Sequence, residues 1–162
     1  VLSVRPDQVT LVPDAHDALT SNHGWDTVTY RSFLTDVIGE FHKNGIRTSV
    51  FVDPDPVMAE NAAKTGTDRI ELYTESYASE YLADRENAIA PFILAAEVAL
   101  KSGLGINAGH DLNLDNLRFF AQKIPGLLEV SIGHALIADA LYFGLENTIQ
   151  MYLRELKPYL PV

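Results

Sequence analysis

Three short stretches carry residue types suited to acid–base chemistry on an anionic ligand. In Asn107-Ala108-Gly109-His110 a histidine stands just past an apolar run, behind a glycine that lets backbone approach a ligand. Histidine gives or takes a proton near neutral pH without a large pKa shift. Ser131-Ile132-Gly133-His134-Ala135-Leu136 repeats the Gly-His pair where a helix is expected to begin. Free N–H groups and the helix dipole there attract an anion without net positive charge. Glu71 lies between Ile70 and Leu72. Strand alternation turns it away from their side, which in a barrel is into the interior, where a carboxylate must be paired, hydrogen-bonded or functional.

Each has a plainer reading: His110 on a loop carbonyl, Gly133 in a tight turn, Glu71 in an ion pair with Arg47 or Arg69. Two Gly-His pairs at successive run ends favour a site. The polar stretch Ala15–Asp26 is hard to fit to a helix and reads as a binding loop or lid. Thr20 and Ser21 can donate to phosphate oxygens, and Trp25 can anchor the loop. His16 and His23 lack regular metal-ligand spacing and read as surface residues, as does His42 on the polar side of a helix. Asp53-Pro54-Asp55 reads as helix capping, and Tyr73, Tyr77 and Tyr81 as core or rim packing.

The elements that would position these residues alternate along the chain. Strands are expected at Val9–Val12, Thr48–Val52, Arg69–Tyr73, Leu104–Ala108 and Leu128–Ile132, each bounded by Gly, Pro, Asp or Asn. Their near-continuous apolarity suits a parallel sheet. Between them, Phe33, Leu34, Val37, Ile38 and Phe41 make one helical face, stopped at Gly45. Asp55 and Pro56 open a second helix that ends at Gly66. Ile89, Phe92, Ile93, Ala96 and Leu100 form a third face, closed by Gly103. Asp115 is expected to cap a helix over Leu117–Lys123, before Pro125 and Gly126. Ala135–Phe143 forms a short helix before Gly144, and Leu145–Lys157 a last one before Pro158 and Pro161.

The βα alternation implies parallel strands with right-handed crossovers, as an open doubly wound sheet or as part of a (β/α)8 barrel. No G-x-G-x-x-G follows a strand, and five units are too few to close a barrel. The opening VLSVRPDQ lacks an initiating Met and reads as a cut; if the fold is a barrel, its first three units are missing and residues 1–162 are its carboxyl-terminal portion.

With 12 Lys+Arg against 22 Asp+Glu the net charge is −10, which argues against a nucleic-acid or anionic-membrane partner. Having no cysteine, the chain offers neither disulfide nor thiolate metal site nor thiol nucleophile. That fits a cytoplasmic protein. No apolar run approaches the roughly 20 residues of a membrane span.

Six runs together, LVPD (Leu11–Asp14), LTSNHGWD (Leu19–Asp26), VFVDPD (Val50–Asp55), RIELYTESYA (Arg69–Ala78), GINAGHDL (Gly105–Leu112) and EVSIGHALIADAL (Glu129–Leu141), resemble the pyridoxine 5′-phosphate synthase family in order and spacing. The resemblance implies an α/β (β/α)8 TIM barrel, with strands 4–8 and their helices in this chain. It implies a homo-oligomer, an octamer. The activity it implies is condensation of 3-amino-2-oxopropyl phosphate with 1-deoxy-D-xylulose 5-phosphate to pyridoxine 5′-phosphate, phosphate and water, without metal or organic cofactor. Carried over by motif, His110 is the proton donor and Glu71 a carboxylate that stabilises transition-state charge. Thr20 contacts the sugar phosphate, and Gly133 and His134 contact the aminoketone phosphate. Asp111, also a substrate contact, stands where family members have glycine, and Asn22-His23 replaces a Glu-Gly pair. The family's Asn-x-Asp-His of strand 1, strand-2 histidine and arginine, and strand-3 glutamate have no counterpart, so these residues alone are expected to be inactive. The residues by themselves also allow another (β/α)8 phosphate-sugar enzyme or a non-catalytic phosphate-binding half-barrel.

Overall fold

The structure, a computed structural model, describes residues 1–14 and 17–157. Ala15 and His16 of the polar stretch, and Pro158 and Pro161 after the last helix, lie outside the described residues. Five strands, β1 (Gln8–Leu11), β2 (Arg47–Val52), β3 (Arg69–Tyr73), β4 (Gly105–Gly109) and β5 (Leu127–Ser131), form one sheet. All pair in parallel, in the order β1-β2-β3-β4-β5, without the reversal of a doubly wound sheet.

The register sorts the strands into two faces. One carries Val50, Val52, Ile70, Leu72, Ile106 and Ala108, all 0% exposed, and packs beneath the helices with Leu34, Ile38, Phe92, Leu117 and Phe120. Burying a Leu, Ile or Phe side chain stabilises by about 1.5–3 kcal/mol, so this layer supplies the main cohesion. The opposite face presents Thr10, Ser49, Phe51, Arg69, Glu71, Tyr73, Asn107, Glu129 and Ser131, in register across the strands.

The sheet is rolled toward that polar face. Gln8 on β1 donates from Nε2 to Glu129 Oε1 on β5 at 3.3 Å, although these are the two outer strands. A flat sheet would hold them four spacings apart, on the order of 19 Å, farther than the two side chains can jointly span. Arg69 bridges the same trough, with Nη1 2.9 Å from both Asn107 Oδ1 and Glu129 Oε2.

The helices are α1 (Arg31–Lys43), α2 (Pro56–Ala63), α3 (Glu75–Lys101), α4 (Leu117–Lys123), α5 (His134–Phe143) and α6 (Leu145–Leu156). Asp55 caps α2, its side chain accepting from Val57 N ahead of Pro56. Four expectations need correcting. The face from Ile89 onward is only the second half of α3. The helix starts at Glu75, buries Tyr77, and changes direction at Asp84 (φ −158°, ψ 89°), whose carboxylate accepts from Asn87 N. The turn before α4 is closed by Asn113 Oδ1, which accepts from the N–H groups of Asp115 and Asn116, and not by Asp115. Phe33 and Leu100 are exposed, because the buried stripes of their helices run through Leu34–Ile38 and Ile89–Phe92–Ala96. His42 is not simply solvated. Its Nε2 lies 2.8 Å from Asp68 Oδ2 and 3.2 Å from Thr48 Oγ1, tying α1 to the amino ends of β2 and β3.

The segment after β1 crosses the end of β2. Trp25 N donates to Phe51 O at 2.8 Å, and Gly24 N donates to Asp53 Oδ2 at 3.2 Å. The Trp25 ring anchors the segment against Tyr30 and Phe33. A Cβ on Gly24 would lie 2.3 Å from Asp53 N and 2.4 Å from Val52 Cα, and main chain cannot yield as a side chain does. Gly24→Ala should therefore destabilise by about 1–3 kcal/mol, read as a lower urea midpoint at unchanged slope. An unchanged midpoint would contradict the crossing.

Candidate functional site

The sheet's polar face ends in a cleft of about 190 Å³ lined by Glu71, His110, Asp111, Leu112, Ser131, Ile132, Gly133, His134 and Ala135. Three successive strands build it. Glu71 projects from the middle of β3 into the trough, as the Ile70-Glu71-Leu72 alternation requires. His110 and Asp111 follow β4, while Ser131 ends β5 and leads through Gly133 into α5.

Glu71 is 7% exposed. Thr10 Oγ1 donates to its Oε2 at 2.9 Å, across the intervening strand, and Ser131 supplies a second hydrogen bond. It pairs with neither arginine: Arg69 turns to Asn107 and Glu129, and Arg47 donates to Gln8. Burial pushes the Glu71 carboxyl above its ordinary range. The two hydroxyls and His110 pull the other way, while Glu129 adds to the rise. Gly109 is what lets the carboxylate sit there, since a Cβ on it would come 2.5 Å from Glu71 Oε1.

The His110 ring stands edge-on to Tyr73, centroids 5.0 Å apart at 85°. Tyr73 follows Glu71 by two residues and so shares its face. Nε2 of His110 meets Thr20 Oγ1 at 3.2 Å, joining the loop after β1 to β4, and Nδ1 meets Asp111 Oδ2 at 3.0 Å. The loop is fastened elsewhere as well: Tyr73 Oη donates to Ser21 O, and Ser21 Oγ donates to Asp14 Oδ2. The backbone at His110 and Asp111 is left-handed, φ 89° and 56°, uncommon for residues with side chains and concentrated at functional sites. Thr74, fully buried, holds the turn, its Oγ1 donating to the carbonyls of Gly109 and His110.

At the far wall Gly133 is the N-cap of α5 and, as a glycine, offers the helix no capping side chain. Beyond its own chain neighbours, nothing among the described residues lies within 4 Å of a Cβ built on Gly133. The space beside it is open to a ligand, and the first N–H groups of α5 face that end. His134 is exposed at the rim.

Glu71, His110, Asp111, Gly133 and His134 thus share one cleft, and Thr20 reaches it through His110. His23 is exposed and bonded to Asn22, and among the described residues no group of three His, Asp or Glu could hold a metal ion. Thr74, the Tyr73–His110 packing and the Asp111 carboxylate on His110 were not foreseen in their roles. The Tyr73 signal was its place two residues beyond Glu71; the other two depend on the left-handed turn.

A buried carboxylate, a histidine and a free helix amino end within one cleft can bind a phosphorylated ligand and move protons on it. Among known proteins, the family described as "Pyridoxal phosphate biosynthesis protein PdxJ" matches residues 1–158. The chain is 63% identical to the pyridoxine 5′-phosphate synthase of Flavobacterium johnsoniae over 157 residues, 97% of this chain and 66% of that protein. It is 64% identical to that of Cytophaga hutchinsonii and 60% to that of Christiangramia forsetii, each with the same coverage. The chain spans just under two thirds of the length of these relatives.

Proposed function

The chain belongs to the PdxJ family of pyridoxal phosphate biosynthesis proteins, and we propose that it forms strands 4–8 of a (β/α)8 barrel that makes pyridoxine 5′-phosphate. The rolled, singly wound parallel sheet supports the barrel, because its polar face curls inward while its apolar face carries the helices. In this reading residues 1–162 are the carboxyl-terminal portion of a single barrel domain. Three further βα units would complete the trough and cover exposed apolar residues such as Leu141 and Tyr142.

The proposed reaction condenses 3-amino-2-oxopropyl phosphate with 1-deoxy-D-xylulose 5-phosphate, releasing phosphate and water. It needs amine addition to a carbonyl, eliminations and ring closure, whose C–N, C–O and C–C bond changes acid–base groups can assist by moving protons, so no metal or organic cofactor is assigned. The N–H groups at Gly133 and His134 would hold the aminoketone phosphate through the positive end of α5. Thr20, on the loop after β1, would meet the sugar phosphate, and Asp111 would face the bound substrate from the β4 turn. His110 would donate a proton to a leaving oxygen. Glu71 would offset positive charge developing on the nitrogen-bearing intermediates, more strongly for being poorly solvated. A cytoplasmic homo-octamer is the proposed working form; no helix among the described residues is long and apolar enough to cross a membrane.

The observation carrying this reading is the convergence of Glu71, His110, Gly133 and His134 on one cleft. A bacterial strain deleted for its own pyridoxine 5′-phosphate synthase should grow without pyridoxine when given the eight-unit protein containing this chain. No growth, with soluble protein present, would overturn it.

A further inference from the structure

We propose that Asp111 is a positioning residue: its carboxylate holds Nδ1 of His110, leaving Nε2 as the nitrogen that delivers the proton. This rests on the reading of His110 as proton donor and adds how its ring is held. Neighbouring side chains in extended backbone point to opposite sides. Here two successive left-handed residues, His110 at φ 89° and Asp111 at φ 56°, bring them together, Oδ2 to Nδ1 at 3.0 Å. Aspartate tolerates that conformation better than most residues.

The turn is fastened on both sides. Thr74 donates to the carbonyls of Gly109 and His110, and Asn116 Nδ2 donates to Asp111 O at 3.3 Å. An ionised carboxylate only accepts, so Nδ1 must carry the hydrogen. Nε2 then points to Thr20 Oγ1 at 3.2 Å. In the donating step the Nε2–H bond of the imidazolium breaks and its proton passes to the leaving oxygen. The freed Nε2 lone pair then accepts from the Thr20 hydroxyl, Nδ1–H stays on Asp111, and the carboxylate gains no proton.

The test compares Asp111→Gly and Asp111→Asn in the eight-unit enzyme. Asp111→Gly should lower kcat about tenfold, less than the roughly 10²–10⁴-fold that a general acid itself supplies. KM for both substrates should stay within about twofold, because the substrate contact at this position runs through backbone that glycine keeps, so the effect is confined to the chemical step. Asp111→Asn, whose side-chain oxygen still accepts, should recover part of the loss. A role in backbone geometry alone predicts the reverse, because glycine is the residue freest to adopt φ 56°. Magic-angle-spinning 15N spectra of labelled histidine should show neutral His110 protonated at Nδ1 in the parent and shifted toward Nε2–H in Asp111→Gly. Unchanged kcat, or a lowered kcat with an unchanged tautomer, overturns the proposal. The spectrum reads the tautomer even if the parent forms no product, an outcome that would sink the synthase reading instead.

Discussion

Glu71→Gln should lower kcat of the eight-unit enzyme by about 10²–10³-fold, the scale for losing one preorganised electrostatic contact in a poorly solvated site. The same substitution should make the fold more stable at pH 8. Both follow from one arrangement: a carboxylate 7% exposed, fed by the hydroxyls of Thr10 and Ser131 and in no salt bridge among the described residues. Burial raises its pKa above the ordinary 4.5. The folded state therefore holds its proton over a pH window in which the unfolded chain has lost it. Across that window, from about 4.5 up to the folded value, the unfolding free energy contributed by Glu71 falls as pH rises. Below the window both states are protonated and the cost vanishes; above it the cost is complete. Urea titrations should show the glutamine variant ahead of the parent at pH 8, with the gap closing as pH falls below about 4.5. Parallel stability profiles would contradict the burial argument, and unchanged kcat would contradict the catalytic one.

His110→Ala should cost about 10²–10⁴-fold in kcat, the span for removing a general acid, while binding of inorganic phosphate changes less than about threefold. The separation is geometric. The phosphate cradle assigned to Gly133, His134 and the start of α5 comes from β5 and the helix, whereas His110 is held from β4 by Tyr73, Thr20 and Asp111. Losing the edge-on contact with Tyr73 should cost about 0.5–1.5 kcal/mol of stability, too little to unfold the enzyme and mimic the kinetic loss. Calorimetry with phosphate alongside turnover distinguishes the cases. Wild-type turnover would remove His110 from the mechanism, and lost phosphate binding would mean that the ring belongs to the cradle.

Much of this arrangement was legible in the residues. The strands fell within one residue of their expected bounds, because β-branched runs bounded by turn residues leave little freedom in where they end. Alternation put Glu71 on the face opposite Ile70 and Leu72, which in a barrel is the interior, and Asp55-Pro56 marked the α2 start. The first half of α3 was missed although Tyr77 and Tyr81 stand one helical turn apart. Its face is otherwise small and polar, and Asp84 interrupts the period. The curl that joins Gln8 to Glu129 was not readable, since it is a property of five strands together. Nor was the His110–Asp111 contact, since adjacent residues meet only when the backbone turns left-handed, which the residue types do not announce. His42 was misjudged because its partner Asp68 is 26 residues away.

The most direct measurement is product formation by the purified eight-unit enzyme from 3-amino-2-oxopropyl phosphate and 1-deoxy-D-xylulose 5-phosphate, followed by mass spectrometry and phosphate release. Pyridoxine 5′-phosphate and inorganic phosphate should appear in equal amounts, and His110→Ala should suppress both together. Phosphate release without the ring product, or no turnover by folded enzyme, would contradict the account.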